Sequence, residues 1–292
     1  MESKKKIYDI LPQAFYPKTI LVSPSETEEQ ISQRVRSAAF TYPLIAKPDI
    51  GGKGRGVKKI ECEKELLSYL KRFPFDMLVQ DFIPYEEEIG VFYYRYPGQN
   101  KGNISGVVGK HFLTVKGDGR STIEELLKRE KRFILQLEAL RTLLGDQLQV
   151  KLAAGEERLL VPYGNHARGA LFIDNTHLID PDLVEAIDVV CKQIPDFYFG
   201  RLDIRYTSLE KLKQGKEFSL IEVNGAGSEP THMYDPRHSL FNAWKEIIRH
   251  WFILWRISKD NHKRGVKYMG KKEGVRMFRE AREYDRVLER LI

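Results

Sequence analysis

Short apolar runs that alternate with polar segments of helical spacing constrain the fold of this chain most strongly. Over residues 15–83 each run has the length of a strand, about 4–8 residues, and is too short for a buried helix. The first polar segment predicts a helix that begins at Ser25 or Thr27, with glutamates in its first turn. The order of these segments predicts a compact β-α-β-loop-β-α-β lobe.

The chain beyond this lobe also mixes strands and helices. Residues 86–117 contain β-rich runs with a hairpin connection at PGQNKG. The segment from 121 to 144 predicts one helix, because Ser121 followed three positions later by Glu124 forms a capping box. A further helix begins at Asp180 or Asp182. These patterns together favour an α+β fold.

The residues from 238 onward predict basic helices with an aromatic stripe. The stripe consists of apolar residues at helical spacing, namely Trp244, Ile248, Trp251, Phe252 and Trp255. Such a stripe is far more often a core contact than a ligand site. We therefore expect these side chains to pack against the rest of the protein.

Composition indicates a globular protein and limits its partners. Hydrophobic residues make up 42% of the 292 residues, and no apolar run approaches the roughly 18 residues that span a bilayer. The net charge of +7 suits an anionic ligand, but the sequence has no recognition-helix motif and no aromatic-basic platform. We expect a cytoplasmic protein with no nucleic-acid or membrane partner. The two cysteines, Cys62 and Cys191, are too few for a disulfide framework and are expected to be buried thiols.

A glycine-rich loop, GGKGRG at 51–56, lies between two of the predicted strands. It lacks the Ser/Thr and the following helix of the phosphate loop of nucleoside triphosphatases. Its backbone N–H groups and the charges of Lys53 and Arg55 can still hold phosphate, so that the loop works as a flap. The alternative is a hairpin turn with solubilising charges. Lys47 favours the flap, because it ends an apolar strand that can aim its ammonium beside the loop.

Two later strands, FGRLDIRY and SLIEVNG, carry polar groups on one face. Alternation places Arg201, Asp203 and Arg205 together, and Glu222 and Asn224 share a face of the second strand. An antiparallel hairpin that pairs Asp203 with Glu222 is centred within the polar connection EKLKQGK. This oxygen-only set predicts a Mg²⁺ site, with a salt-bridge ladder on a solvent face as the alternative. The arginines lie beside it and can neutralise a transferring phosphoryl group.

These motifs resemble those of the ATP-grasp enzymes, above all the D-alanine–D-alanine ligase and cyanophycin synthetase branches. The resemblance extends from about residue 15 to residue 235 and is most specific at GRLDIRY and IEVNG. It implies an ATP-grasp fold in which two α+β lobes clamp ATP. It divides the chain into an N-terminal segment (1–24), a lid subdomain (25–83) and a catalytic subdomain with a basic helical tail (84–292).

The resemblance also implies roles for individual residues. Those at the ATP phosphates would be Lys47, Gly51, Gly52, Lys53, Gly54 and Gly56. Those at the base and ribose would be Gln80, Asp81, Ile83 and Glu88. The Mg²⁺ ligands, with Mn²⁺ as a substitute, would be Asp203, Glu222 and Asn224. The catalytic residues would be Arg201 and Arg168, and the substrate residues Asn165, His166, Gly169 and Arg205. Four of these, Asn165, His166, Arg168 and Gly169, come from GNHARG, which resembles a loop that closes on phosphate and substrate.

The activity that the resemblance implies is that of an ATP- and Mg²⁺-dependent ligase. It would join a small-molecule carboxylate to an amine through an acyl phosphate. The alternatives are an ATP-grasp kinase that phosphorylates a hydroxyl and a nucleotide-binding regulatory protein without turnover. A homodimer is compatible with any of these.

The sequence departs from related ligases in two respects. We expect no complete domain before the lid, with a natural short form, a truncation, and a substrate held by other means as the alternatives. The second ATP-binding lysine of the family lies near the junction with that domain, so Lys4, Lys5 and Lys6 are alternatives for that role. GSEPTHMYDP stands where the D-alanine ligases have a serine-containing carboxylate site. This difference argues against D-alanine as the substrate.

Overall fold

A computed structural model describes residues 3–52, 54–134, 137–161 and 170–291. Its strands are β1 (Thr19–Val22), β2 (Leu44–Pro48), β3 (Lys58–Ile60), β4 (Met77–Asp81), β5 (Glu87–Tyr94), β6 (Asn103–His111), β7 (Leu113–Lys116), β8 (Glu157–Val161), β9 (Leu171–Asp174), β10 (Phe199–Tyr206) and β11 (Phe218–Asn224). Its helices are α1 (Lys4–Ile10), α2 (Glu28–Ser37), α3 (Glu63–Leu70), α4 (Ile123–Arg129), α5 (Lys131–Ile134), α6 (Leu137–Leu144), α7 (Pro181–Lys192), α8 (Leu209–Lys213), α9 (Leu240–Lys263) and α10 (Lys271–Leu291). Within these residues, no helix has the length and apolar character needed to cross a membrane.

The lid lobe is a four-stranded antiparallel sheet in the order β1-β4-β2-β3. Helices α2 and α3 bury their apolar faces against it in one core cluster. Helix α2 begins after Thr27, whose side chain accepts from the backbone N–H of Gln30 while the Gln30 side chain bonds back to the cap. The predicted β-α-β-loop-β-α-β order is confirmed, and Thr27 is the cap.

The larger lobe is a five-stranded antiparallel sheet in the order β11-β10-β5-β6-β9. Helix α7, which begins after its cap Asp180, packs on one face of this sheet together with Tyr8 of α1. The other face carries polar side chains toward one end. Toward the other end it contacts α9 through Phe92 and Phe199.

A smaller unit is built from the two-stranded antiparallel sheet β7-β8 and helices α4, α5 and α6, which share a third core cluster. The prediction of one helix over 121–144 is wrong, because the break after α4 lets the apolar side chains of α6 reach the same cluster. The capping box is also displaced by one residue, to Thr122 and Glu125. Ser121 donates instead to Asp118 Oδ2 at 2.8 Å.

Helix α9 contradicts the prediction of a buried aromatic stripe. Its buried side chains are His250, Ile253 and Ile257. The predicted core residues Trp244, Ile248, Trp251, Phe252 and Trp255 are 52% to 70% exposed. Only one side of the helix rests on the sheet, and the aromatic side faces away from it.

The two cysteines differ in burial. Cys191 is buried in α7 as predicted, and burial raises the pKa of its thiol well above the ordinary value. Cys62 is exposed, so the prediction of a buried thiol is wrong at this position. It precedes α3 as the N-cap residue, where the chain turns at the surface.

Candidate active site

A cavity of about 1000 Å³ lies between the lid sheet and the larger sheet. Both lobes contribute to its walls, and apolar side chains such as Ile45, Val57 and Phe172 line part of it. Its volume is that of a small-molecule or cofactor site. The structure therefore provides the interlobe cleft that the sequence predicts.

Lys47 extends from β2 into this cavity and is surrounded by acceptors. Its Nζ lies 2.9 Å from the Tyr8 hydroxyl oxygen, 2.9 Å from Gln80 Oε1 and 3.2 Å from the carbonyl oxygen of Ile221. Burial lowers the pKa of Lys47 to about 8, against an opposing effect of Glu222. The ammonium is thus fixed in place but has little countercharge, which favours binding of an anion.

The end of β4 and the segment that follows it form one wall of the cavity. Gln80 and Asp81 of β4 and Ile83 after it line this wall. Arg205 donates to the carbonyl oxygens of Ile83 and Tyr85 at 3.2 Å and 3.4 Å. Arg205 itself lines the cavity, where the sequence predicts that it binds substrate, and these bonds hold the wall in position.

Asp203 belongs to a buried charge network on the floor of the cavity. Arg201 Nε donates to Asp203 Oδ1 at 2.9 Å, and Lys110 Nζ lies 3.0 Å from Asp203 Oδ2. Lys110 Nζ also donates to Glu88 Oε1 at 2.9 Å, and Arg205 Nε lies 3.4 Å from Glu88 Oε2. The alternative of a solvent-exposed salt-bridge ladder is wrong, because the Asp203 side chain is only 5% exposed.

The charges of this network determine the protonation of Asp203. Burial alone would raise the pKa of Asp203, but the adjacent Arg201 and Lys110 cations outweigh burial and hold this pKa below its ordinary value. Gly90 makes room for the network, because a Cβ at this position would lie 2.8 Å from Val108 and 3.2 Å from Asp203 Oδ1. An ionised carboxylate is therefore maintained in the interior.

The predicted register of β10 and β11 is confirmed. Asp203 pairs with Glu222 and Arg201 pairs with Asn224, with a β-bulge immediately after Asp203. Asp203, Glu222 and Arg201 line the cavity, whereas Asn224 is not among its described lining residues. Among the residues that the structure describes, buried Asn224 Nδ2 has no hydrogen-bond partner.

Asp203, Glu222 and Asn224, on the paired strands β10 and β11, carry oxygen donors of the kind that Mg²⁺ prefers. The described part of the chain contains no group of three or more His, Cys, Asp or Glu side chains arranged to hold a metal. The predicted set has two carboxylates and one carboxamide, and hard oxygen donors of this type suit Mg²⁺. The unpartnered atom of Asn224 is Nδ2, a hydrogen-bond donor, so only its Oδ1 could serve beside the Asp203 and Glu222 carboxylates as a ligand of a cation. These three residues therefore match Mg²⁺ in the chemistry of their donor atoms.

One of the three N-terminal lysines reaches the cavity wall. Lys4 lines it, donates to the carbonyl oxygen of Gly51, and lies 3.8 Å from Glu222 Oε1. Burial lowers the pKa of Lys4, as it does for Lys47. Lys5 instead forms an ion pair with Asp9 on α1. Of the alternatives Lys4, Lys5 and Lys6, the structure thus favours Lys4 as the second cation beside Lys47.

The glycine loop covers one end of the cavity and contacts the C-terminal helix. Gly51, Gly52, Gly54 and Arg55 line the cavity. Gly56 has a φ of +66°, and a Cβ there would lie 2.8 Å from Pro48, so only glycine fits this position.

Helix α10 holds the loop from outside. Arg55 lies 2.9 Å from Glu289 Oε1 and 3.6 Å from Asp285 Oδ1. Leu288 is fully buried, and a Cβ placed at Gly51 or Gly56 would lie 3.4 Å or 3.5 Å from it. The position of the loop therefore depends on a helix at the far end of the chain.

Some predicted site residues lie outside the described part of the chain. They are Lys53 of the glycine loop and the GNHARG residues Asn165, His166, Arg168 and Gly169. Their assignments remain predictions. The strand before GNHARG, β8, belongs to the smaller unit, and the strand after it, β9, belongs to the sheet of the larger lobe.

Sequence reasoning missed two groups at the site. Lys110 lies in the buried run ISGVVGKH of β6, and a lysine within such an apolar run is a signal that it has a buried partner. Tyr8 donates to the carbonyl oxygen of Ile221 at 2.6 Å and accepts from Lys47, but nothing in the local pattern of α1 indicates this.

Comparison with known proteins gives structural likenesses only. No protein-family model matches the chain, and no curated protein sequence matches it. A bifunctional glutathione synthetase from Pasteurella multocida has a TM-score of 0.43 and 16% identity over 84% of this chain and 35% of its own. The D-Ala:D-Ser ligase VanG from Enterococcus faecalis has a TM-score of 0.44 and 17% identity over 85% of this chain and 61% of its own.

A third likeness is to D-alanine–D-alanine ligase from Bacillus anthracis, with a TM-score of 0.49 and 13% identity over 89% of this chain and 68% of its own. The structures found thus include the D-alanine ligases that the sequence motifs resemble. The chain spans about a third of the synthetase and about three fifths of VanG. At such identities and TM-scores, the likeness carries no argument about activity or substrate.

Proposed function

We propose that this protein is an ATP-grasp ligase that joins a carboxylate to an amine at the expense of ATP. The observation that carries the proposal is the meeting of a glycine loop, Lys47 and the buried Arg201–Asp203–Lys110 network around one interlobe cavity of about 1000 Å³. The cavity is lined both by apolar side chains and by cations. This combination suits a purine that carries a polyphosphate.

The cations would bind the phosphates. Lys47 and Lys4 lie beside the glycine loop, and Arg201 lies on the opposite lobe. Because both lysines are desolvated, their attraction for an anion is stronger than that of exposed lysines. The base would lie along the wall at Gln80 to Ile83, with Glu88 accepting from the ribose hydroxyls.

A divalent cation would be held by Asp203, Glu222 and Asn224. When bound, Mg²⁺ would supply charge neutralisation at the phosphate oxygens. Lys110 would keep the Asp203 carboxylate in position from behind, because its Nζ bridges Asp203 and Glu88. Arg201, held by Asp203, would place its guanidinium beside the phosphoryl group.

The proposed reaction has two stages. A substrate carboxylate attacks the γ-phosphorus of ATP, which yields an acyl phosphate and ADP. An amine then attacks the acyl carbon, which forms the amide and releases phosphate. Arg201 neutralises charge on the transferring oxygens, and closure of the glycine loop excludes water that would hydrolyse the acyl phosphate.

Product analysis tests this proposal. The full chain is incubated with ATP, MgCl₂ and pools of amino acids and dipeptides, and ADP release is followed together with mass spectrometry of the products. We expect ADP release that depends on added amine, and a product whose mass is that of acid plus amine minus water. Hydroxylamine in place of the amine should trap the acyl phosphate as a hydroxamate.

Two other results would overturn the proposal. A stable phosphoester would identify a kinase. Calorimetric binding of ATP without ADP release from any pool would favour a regulatory nucleotide-binding protein. The Glu222→Gln variant serves as the inactive control, and Glu217→Gln, at an exposed position outside the cavity, serves as its match.

A further inference from the structure

Helix α9 presents a large apolar face to solvent. Six of its side chains, Phe241, Trp244, Ile248, Trp251, Phe252 and Trp255, are between 52% and 77% exposed. Apart from the adjacent pair Trp251 and Phe252, they recur at intervals of three or four residues and therefore lie on one side of the helix. A monomeric soluble protein rarely exposes a continuous apolar patch of this kind unless it binds something. We call these six residues the aromatic face.

The aromatic face points away from the body of the protein. Trp251 and Trp255 each precede a buried isoleucine, Ile253 and Ile257, by two positions. Two positions on a helix correspond to about 200° around its axis. The residues that attach α9 to the sheet and the residues of the aromatic face are thus on opposite sides, so the face is free to contact a flat surface.

Basic residues border this face. Lys245, Arg249 and Arg256 are spaced by four and seven residues, which places them in a row along one edge of the face. Lys259 Nζ lies 5.0 Å above the Trp255 ring. Lysine and arginine at the border of an apolar face can bury their carbon chains while their charges reach toward anions.

The charge of the whole protein is concentrated in this region. Residues 240–270, which form α9 and the connection after it, contain 7 Lys or Arg and 2 Asp or Glu, whereas residues 1–239 contain 34 of each. The connection between α9 and α10, residues 264–270, has two basic residues, Arg264 and Lys267, and no acidic one. Val266, Tyr268 and Met269 in the same connection are 57% to 58% exposed. Apolar and basic side chains therefore occur together along both the aromatic face of α9 and the connection after it.

We propose that the aromatic face of α9 and the connection after it bind the surface of an anionic lipid bilayer. A helix with tryptophan and phenylalanine on one side and lysine and arginine at the border lies in the plane of the membrane interface. Apolar side chains enter the boundary between headgroups and acyl chains, and the basic residues contact lipid phosphates. This partner differs from the sequence expectation of no membrane partner, which rested on the absence of a spanning segment.

The same surface suits other partners less well. Symmetric pairing of two copies would bring the like charges of α9 and its connection together, which opposes association. A single-stranded nucleic acid binds along a basic groove in which aromatic side chains stack on its bases, whereas the aromatic face is the outer side of one helix. Here the centre is occupied by large apolar side chains and the charges lie at its border. A lipid surface satisfies both features at once.

Tryptophan fluorescence gives a direct test, because all three tryptophans of the chain lie on the aromatic face. The full chain is mixed with vesicles of phosphatidylcholine containing 30% phosphatidylglycerol, or of phosphatidylcholine alone. We expect a blue shift of the emission and co-sedimentation with the anionic vesicles only. Brominated lipids should quench the emission, and 0.5 M NaCl should weaken binding.

Substitutions on α9 should separate the contribution of the apolar side chains to vesicle binding from that of the basic side chains. Trp251→Ala with Phe252→Ala should reduce partition into anionic vesicles by at least about tenfold, because two large aromatic side chains lose their burial. Lys245→Glu with Lys259→Glu should reduce it comparably. Val189→Ala at an exposed site of α7, and Lys64→Glu with Lys216→Glu, are the matched controls and should bind like the unmodified chain.

Three outcomes would overturn the proposal. The first is the absence of both a blue shift and co-sedimentation with anionic vesicles. The second is a dimer by light scattering, with blue-shifted emission before lipid is added, that Trp251→Ala with Phe252→Ala converts to a monomer. The third is binding of a single-stranded oligonucleotide that the lysine changes abolish and the aromatic changes leave intact. The assay contains no ATP, so its result is independent of the proposed ligase activity.

Discussion

Lys110 Nζ lies 3.0 Å from Asp203 Oδ2, and both side chains are at most 5% exposed. The same ammonium donates to Glu88 Oε1 at 2.9 Å, so one lysine neutralises two buried carboxylates from two other strands. Burial lowers the pKa of Lys110, but the two carboxylates outweigh burial and raise that pKa above its ordinary value. Its charge is therefore retained, and the floor of the cavity depends on it.

The first prediction concerns Lys110→Met. Loss of one partner of a buried charge network costs about 3–5 kcal/mol, because uncompensated carboxylates remain in the interior. We expect the free energy of unfolding, measured by urea denaturation, to fall by about this amount. Lys101→Met removes an exposed ion pair with Glu185 and should cost at most about 1 kcal/mol. An unchanged urea midpoint for Lys110→Met would show that the network does not stabilise the fold.

The second prediction concerns pH and Lys47, whose pKa is about 8 in the folded protein against an ordinary value of 10.5. An anionic nucleotide favours the protonated ammonium, so ATP affinity should fall by about tenfold between pH 7 and pH 9 as the competent fraction falls. Isothermal titration calorimetry measures this change. Lys47→Arg keeps its charge and should show a flatter profile.

The stability of the free protein should change in the opposite direction. Between about pH 8 and 10.5 the unfolded chain binds the proton that folded Lys47 has lost. The contribution of Lys47 to the free energy of unfolding therefore rises with pH across this window. Glu222 and Lys4 face the same ammonium, so the measurement requires Lys47→Met as reference. If Lys47→Met loses ATP affinity between pH 7 and pH 9 to the same extent as the unmodified protein, a group other than Lys47 causes that loss.

The third prediction concerns the carboxylates on β10 and β11. Asp203→Asn and Glu222→Gln should each remove ATP turnover while circular dichroism shows a preserved fold. Loss of one carboxylate charge should weaken Mg²⁺ binding to the nucleotide-bound protein by at least about tenfold. Calorimetric titration of each variant with Mg²⁺ in the presence of ATP measures this. Turnover like that of the unmodified protein in either variant would contradict the metal assignment.

The fourth prediction concerns the contact between α10 and the glycine loop. Leu288→Ala removes a fully buried side chain, which costs about 2–5 kcal/mol. We expect α10 to detach first, with faster proteolysis of the loop at 51–56 and weaker ATP binding. Val287→Ala, at a 37% exposed neighbouring position, should leave both unchanged. Equal proteolysis rates in Leu288→Ala and Val287→Ala would show that the position of the glycine loop does not depend on its contact with α10.

Periodicity along the chain is enough to predict much of the site. Alternation along a strand determines which side chains share a face, and the polar connection between β10 and β11 determines their register. The pairing of Asp203 with Glu222 therefore follows from the local pattern, and the sheet has that pairing. The order of the lid elements follows for the same reason, because short apolar runs and helical spacing are local properties of the chain.

Long-range packing decided the rest. Arg55 and Glu289 are 234 positions apart, and no local pattern predicts that α10 holds the glycine loop. Lys110 acquires its role only when β6 lies beside β5, with β10 on the other side. The aromatic face of α9 shows the same limit, because an apolar stripe has the same spacing whether a sheet covers it or not. Periodicity encodes which residues lie together on a face, and only the tertiary structure decides what that face contacts.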